Sequence, residues 1–402
     1  MDKKGFWALL ASVSKGGHIT YIILDQTTND PNEMIKGQIN GTVIKWIRNN
    51  SHRYLGKYTS EGTMTLCQLK DDDSTKFYDG SSATLDGSQG DVFVGHPLFY
   101  TYAEEVGTDY STPTSGTGIW KISFADYKVD DNWLKWDNGD LIGAYEAAST
   151  TSFNGTTLET ANSGAGYLRS ISGVASLASV SQANFKTKAR NRSANFSLVR
   201  WEHQNIMAFL FYAIYGNTNA QAICGSGTAT NAKNTGLTNA LGMTDTDSVN
   251  GNQSSINFFG LDNWWGNKYE WVDNVDINGY DWTIADRNSG RTRTVQGRVS
   301  PVNTWVYPQR MVVGANLDLI PYPTQTGGDD HHGFCDGVYM TGASGRVVGR
   351  SYVSAYSLGG VACAGAGSAS SSASADCGSR LAFKGNIREV TPTEYNNAVA
   401  IG

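Results

Sequence analysis

The stretch Phe259-Gly260-Leu261-Asp262-Asn263-Trp264-Trp265-Gly266-Asn267-Lys268-Tyr269-Glu270-Trp271-Val272-Asp273 sets two aromatic pairs, Trp264-Trp265 and Tyr269/Trp271, among turn-forming Gly and Asn. Glu270 has an aromatic neighbour on each side. A carboxylate in that setting reads as a buried polar contact rather than as an acid–base catalyst. Two further short segments follow in order: Arg346-Val347-Val348-Gly349-Arg350-Ser351-Tyr352, and Gly378-Ser379-Arg380-Leu381-Ala382-Phe383. Between them, residues 351–378 consist largely of Gly, Ala and Ser.

Outward from these segments, the 402 residues with 40% hydrophobic content suffice for one large or two ordinary domains. The chain has 46 Gly against 8 Pro, with 11 Trp, 20 Tyr and 14 Phe, a turn-rich and aromatic-rich globular composition that excludes a disordered or collagen-like chain. A net charge of -6 leaves no basic surface to neutralise phosphates, so no nucleic-acid partner is expected. Five cysteines, Cys67, Cys224, Cys335, Cys363 and Cys377, lack any C-x-x-C spacing and read as free thiols. Lys3-Lys4 followed by residues 6–13 is a weak secretory signal, interrupted by Gly5 and Ser12. The longest other apolar run, 206–215, is roughly half of a membrane span, so no membrane insertion is expected.

β-branched and aromatic residues predict strands at 18–24, 42–47, 63–69, 92–102 and 118–124, with 132–137 a loop or short turn. The polar run from Asp79 to Gly90 suggests a boundary near residue 88. An apolar stripe predicts a helix over 198–215, stopped by Gly216-Asn217; being apolar nearly all round, it has to be covered on most faces. A weaker helix is expected over 181–192, and residues 225–255 read as a long surface loop.

The three opening segments resemble, in the same order, the G-N-x-x-E-W-x-x-D, R-V-V-R-G-G-S-W and G-F-R-L-A signatures of formylglycine-generating-enzyme-like domains, a branch of the C-type lectin fold. With residues 351–378 included, the chain resembles the variable proteins of diversity-generating retroelements, in which a reverse transcriptase copies a template with errors at adenines. In that family the diversified codons never encode Lys, Glu, Gln, Met or Trp, and none of the five occurs in 351–378. The resemblance implies an α+β architecture: a small β-rich N-terminal domain over 1–88, then a C-type lectin-fold ligand-binding domain over 89–402 with its variable region at 351–378.

Within that region Ala362, Ala364 and Ala366 alternate with Cys363, Gly365 and Gly367, and Ala373 and Ala375 alternate with Ser372, Ser374 and Asp376. This is the period of an extended chain with two faces. Ala and Gly favour strands poorly, so the surrounding fold has to impose the extension. The constant alanines are expected to pack on the body. Val353, Ser354, Tyr356, Ser357, Leu358, Cys363, Gly365, Gly367, Ser368, Ser372, Ser374, Asp376 and Cys377 are expected to face a ligand. With few large side chains among them, the expected site is shallow or pitted.

Competing chemistries are weaker. Asp329, Asp330, His331, His332 and Asp336 gather metal-ligand types, but a solvated turn after Gly327-Gly328 explains them better. Calcium-dependent lectins would carry E-P-N or Q-P-D and W-N-D triplets, which this chain lacks; Trp271-Val272-Asp273-Asn274 is a partial echo. Formylglycine-generating enzymes place paired cysteines near the final motif, whereas Leu381 follows Arg380 here, and no His or Lys adjoins Cys363 or Cys377. The expectation is a non-enzymatic, cofactor-free receptor-binding protein on a phage tail virion or a bacterial surface. Its partner would be a protein or glycan on a cell, and its N-terminal domain would dock to a virion or larger assembly.

Overall fold

Alternation in the first strand, Ile19–Asp25, places Ile22 and Leu24 on one face, where both are fully buried. In this computed structural model, which describes residues 17–227, 233–247, 255–286, 290–351 and 358–398, that strand lies between Ile35–Gly37 and Ile119–Ala125. The five-stranded sheet continues through Phe99–Glu105 to Leu134–Trp136. A larger mixed sheet runs from Thr292–Gln296 through Asp281–Ala285, Val275–Asn278, Arg346–Arg350, Tyr269–Trp271, Cys377–Lys384, Asp140–Glu146, Asp91–Gly95, His52–Tyr58 and Thr63–Lys70 to Asn386–Glu389. The described residues are mostly β with few helices, where the expectation was α+β. Stretches without a clear period, such as Leu134–Trp136, Ala148–Thr150 and Tyr167–Arg169, form short strands that tertiary pairing holds.

Residues on the two sides of position 88 share both sheets. Asn386–Glu389 runs parallel to the start of Thr63–Lys70, and Ile19–Asp25 pairs along its whole length with Ile119–Ala125. Val43 and Val338 belong to one continuous apolar cluster. Position 88 itself falls in a turn, where Asp86 accepts bonds from the amide and hydroxyl of Ser88, at 2.9 and 2.6 Å. The polar composition there serves that turn.

Residues 42–47 are a helix, Thr42–Asn49, not the expected strand: Val43, Ile44 and Ile47 are buried at helical spacing, and β-branching alone misled. The predicted strand over 92–102 is two, Asp91–Gly95 and Phe99–Glu105, divided at Pro97, which has no amide hydrogen for a ladder. The apolar helix is Trp201–Tyr215, closed by Gly216 in the left-handed region (φ 65°) and buried along nearly its whole length. Gln182–Arg190 is the second expected helix, capped by the Ser181 side chain.

The described part of 225–255 is not a surface loop throughout. The guanidinium of Arg53 is buried and needs acceptors, so it draws in Thr238 Oγ1 (3.2 Å) and Asn257 Oδ1 (2.9 Å), along with Gly260 O and Ser74 Oγ. Thr235 and Thr246 are buried as well, Thr235 donating to Ile171 O at 2.7 Å and Thr246 accepting from the Asn257 amide at 3.3 Å.

Arg380 and Glu270 close the centre of the larger sheet. The pair meets at 2.7 Å with both side chains buried, and Arg380 also donates to the carbonyls of Gly143, Asp262 and Asn263. Glu270 takes a further bond from Gln204 Nε2 at 3.1 Å. Replacing one partner strands the other as an uncompensated interior charge. Arg380→Met is expected to lower unfolding free energy by ~3–5 kcal/mol in urea titrations, and adding Glu270→Gln to recover part of the loss.

Candidate functional site

Residues 364–369 have little strand preference of their own, yet Ala364–Ala369 is a strand held along both edges. It runs parallel to Val338–Met340 and antiparallel to Arg346–Arg350, with a register shift between Val347 and Gly349. Buried and half-buried polar groups fix the approach to it. Asp336 accepts the Ala362 amide at 2.7 Å, the Gln221 side chain donates to Gly359 O, and Arg350 donates to Val361 O at 2.7 Å. Arg350 also donates to Asn205 and lies 4.7 Å over the Trp201 ring of the apolar helix.

The two faces separate as the alternation implies. Ala362, Ala364 and Ala366 are each 1% exposed, while Gly365, Gly367 and Ser368 are half-buried on the other side. Gly365, Gly367, Ser368 and Cys377 line a cleft of 340 Å³ with Tyr269, Trp271, Trp305, Tyr339 and Gly349. Tyr269 and Trp305 are near-parallel, with centroids 6.2 Å apart and planes at 11°, and Tyr339 adjoins Trp305 at 5.7 Å and 46°. A Cβ at 365 would sit in ordinary contact with both rings, 3.4 Å from Tyr269 and 3.7 Å from Trp305. A Cβ at 367 would meet Tyr339 Cε1 at 2.5 Å.

Other expected positions fall elsewhere. Cys363 is fully buried, because residues 361–363 form a turn and the two-residue period begins only at Ala364. Cys377, 7% exposed, reaches the cleft only at its base. Leu358 is half-buried against Gly337, whose amide donates to Leu358 O at 2.8 Å. Ser372, Ser374 and Asp376 build the turn after the strand: Ser374 O accepts the Ser179 amide and Asp376 O the Tyr269 amide. None of these three lines the cleft. Ala373 and Ala375, expected against the body, are exposed, since the alternation there is that of a turn. Val353, Ser354, Tyr356 and Ser357 lie outside the described residues.

The sequence reading missed the aromatic walls. Tyr269 was visible as the neighbour of Glu270, on the opposite face of a strand whose Glu270 points into the core; no local signal marked Trp305 or Tyr339. Beside Arg380, at the end of the neighbouring strand, lies Glu146, whose carboxyl is pushed up to about 8, first by burial and next by the charge of Glu270. Asn267 Nδ2 donates to its Oε2.

The acidic and histidine residues of 329–336 do not converge. Asp329 accepts from the His331 amide and the His332 ring, both at 2.8 Å, in an exposed turn, while Asp336 is buried under Ala362. Among the described residues no three His, Cys, Asp or Glu side chains form a metal-holding group. Burial pushes the Cys377 thiol up to about 12, away from an activated thiolate.

No family model matches the chain, and no curated protein matches it by sequence. Among solved structures, the U1 variant of a major tropism determinant is similar over 83% of this chain and 72% of that one, at 11% identity and a TM-score of 0.28. The M1 variant is similar over 84% and 73%, at 12% identity and 0.29. Values this low leave fold and function to this chain's own residues.

Overpacking separates the strand's inward face from the exposed turn that follows it. Ala366→Phe is expected to cost ~1–3 kcal/mol or more, and Ser374→Phe within about 0.5, both read by chemical denaturation; equal costs would remove the distinction. Glu146 gives a pH signature. The folded chain holds its proton more tightly than the unfolded chain, whose ordinary value is 4.5, so this contribution is full below about 4.5 and is lost as pH rises towards 8. Glu146→Gln should therefore gain melting temperature relative to the unsubstituted protein at pH 8.5 and not at pH 4.5.

Proposed function

We propose that the chain is a receptor-binding protein of the retroelement-diversified type, built on a C-type lectin fold, and that its ligand meets the outward side of Ala364–Ala369. One observation carries this: a strand of small residues is locked along both edges, with alanines inward and Gly365, Gly367 and Ser368 opening into an aromatic cleft. A buried exchange costs much stability and one that opens on a cleft costs less, so such a strand tolerates changes of identity on its outward side better than on its inward side, most readily at 365, where a Cβ would make only ordinary contacts. The order of the three sequence segments and the absence of Lys, Glu, Gln, Met and Trp from 351–378 support the same assignment. Its place would be a phage tail or a bacterial surface, and no helix among the described residues is long and apolar enough to cross a membrane. Residues 1–88 would contribute to docking on the larger assembly.

The competing enzyme assignment needs a reactive thiolate, and Cys363 and Cys377 are both buried. A calcium lectin needs converging oxygen ligands, and residues 329–336 diverge.

Two measurements test the proposal. DNA beside the gene should hold a near-copy of the codons for 351–378, differing only at adenines, next to a reverse transcriptase gene. Fluorescently labelled protein should adsorb to a host strain found by screening bacterial cells, and Gly365→Arg, which fills the cleft from its floor, should lower that adsorption at least tenfold without moving the unfolding midpoint. Adsorption unchanged by Gly365→Arg would remove the strand from the binding surface.

A further inference from the structure

Accepting that the outward side of Ala364–Ala369 is the binding surface, we infer that its cleft takes a neutral sugar ring, stacked on Trp305 and Tyr269. Three features of the lining converge on that chemistry. The first is charge: the cleft is bounded by Tyr269, Trp271, Trp305, Tyr339, Gly349, Gly365, Gly367, Ser368 and Cys377, and none of these is charged. A carboxylated or phosphorylated ligand would enter with no counter-charge, and a cationic side chain with no carboxylate to meet it.

The second is the shape of the apolar surface. Tyr269, Trp305 and Tyr339 are half-buried, so each ring keeps part of its surface open to the cleft. An aromatic face is electron-rich and attracts C–H bonds made positive by neighbouring atoms. The ring C–H bonds of a pyranose, each on a carbon that bears oxygen, are polarised in this way, and several lie on one side of the ring. An aliphatic side chain offers weaker C–H donors and no fixed plane. The glycine at 365 leaves open the floor on which the Tyr269 and Trp305 edges converge, because a Cβ there would contact both.

The third is the rim. A sugar also needs uncharged hydrogen-bonding groups around its edge, and Ser368 lines the cleft together with the two tyrosines, whose phenols are uncharged. The volume, 340 Å³, lies at the lower end for small-molecule sites, which fits one ring.

The test uses saturation-transfer NMR on the full chain with methyl β-D-glucoside, methyl β-D-galactoside and methyl N-acetyl-β-D-glucosaminide as probes. Glucuronic acid and N-acetylneuraminic acid serve as charged comparators, and N-acetyl-tryptophanamide and N-acetyl-leucinamide as peptide side-chain comparators. At least one neutral glycoside should receive saturation at its ring C–H protons, more strongly than either acid. That signal should persist in EDTA and fall at least fivefold in Trp305→Ala, with Trp305→Phe, whose smaller ring leaves the fold less disturbed, retaining part of it. No transfer to any neutral glycoside, transfer unchanged in Trp305→Ala, or loss in EDTA would each overturn the sugar assignment. If N-acetyl-tryptophanamide instead gives the signal that Trp305→Ala removes, the binding surface proposed above stands and only the ligand class falls. If neither probe class binds and Gly365→Arg leaves cell adsorption unchanged, both fall together.

Discussion

Arg380 donates at once to a carboxylate and to three backbone carbonyls, and through these bonds the strands at 140–146, 269–271 and 377–384 and the turn at 262–263 are fixed relative to one another in the interior. A guanidinium can do this because its donors are planar and rigidly spaced, and because it stays charged where an amine would lose its proton. Burial makes the arrangement demanding: each donor left without an acceptor would cost more than a satisfied bond contributes. The strand that returns from the variable stretch carries Arg380, so the small-residue region leaves the core and re-enters it under tight geometric control. Tyr269, next to Glu270, inherits its position in the cleft from the same pair.

A second buried arginine plays the corresponding part at the other end. Arg350 holds Val361 O and Asn205 while resting on Trp201, which ties the entry of the small-residue strand to the apolar helix. Asp336 completes the anchor through the Ala362 amide, and Gly360, whose added Cβ would lie 2.0 Å from Asp336 Oδ1, admits the carboxylate against the backbone. The strand between these anchors is extended because its neighbours on both edges require it.

Much of this was legible in the sequence where periodicity is strong. The apolar run ending at Gly216 is a buried helix, and the alternation of alanines with glycines separates inward from outward at 364–367. Legibility failed where a local pattern was outvoted by packing. Val43, Ile44 and Ile47 look like strand residues but share one side of a helix. Cys363 and Ala373 extend the alternation on paper, yet both lie outside the strand, where a two-residue period has no meaning. The threonines at 235, 238 and 246 resemble those of a solvated loop, and only distant partners, Ile171, Asp262, Arg53 and Asn257, explain their burial. The cleft was least legible, since Tyr269, Trp305 and Tyr339 come from three separate strands and meet only through the sheet's order.

Pairing along both edges also restricts the manner in which Ala364–Ala369 can be rewritten. Adding or deleting one residue would slide its ladder against Val338–Met340 and Arg346–Arg350, turning the inward alanines to solvent and the outward positions to the core. Length is thus a conserved quantity of this segment in a mechanical sense, while identity can change at 365, where a Cβ has room, and at 367 only if the Tyr339 ring moves aside. A lineage exploring new ligands through it must do so letter by letter, in contrast to loop-based recognition, where insertions are the easier currency of change.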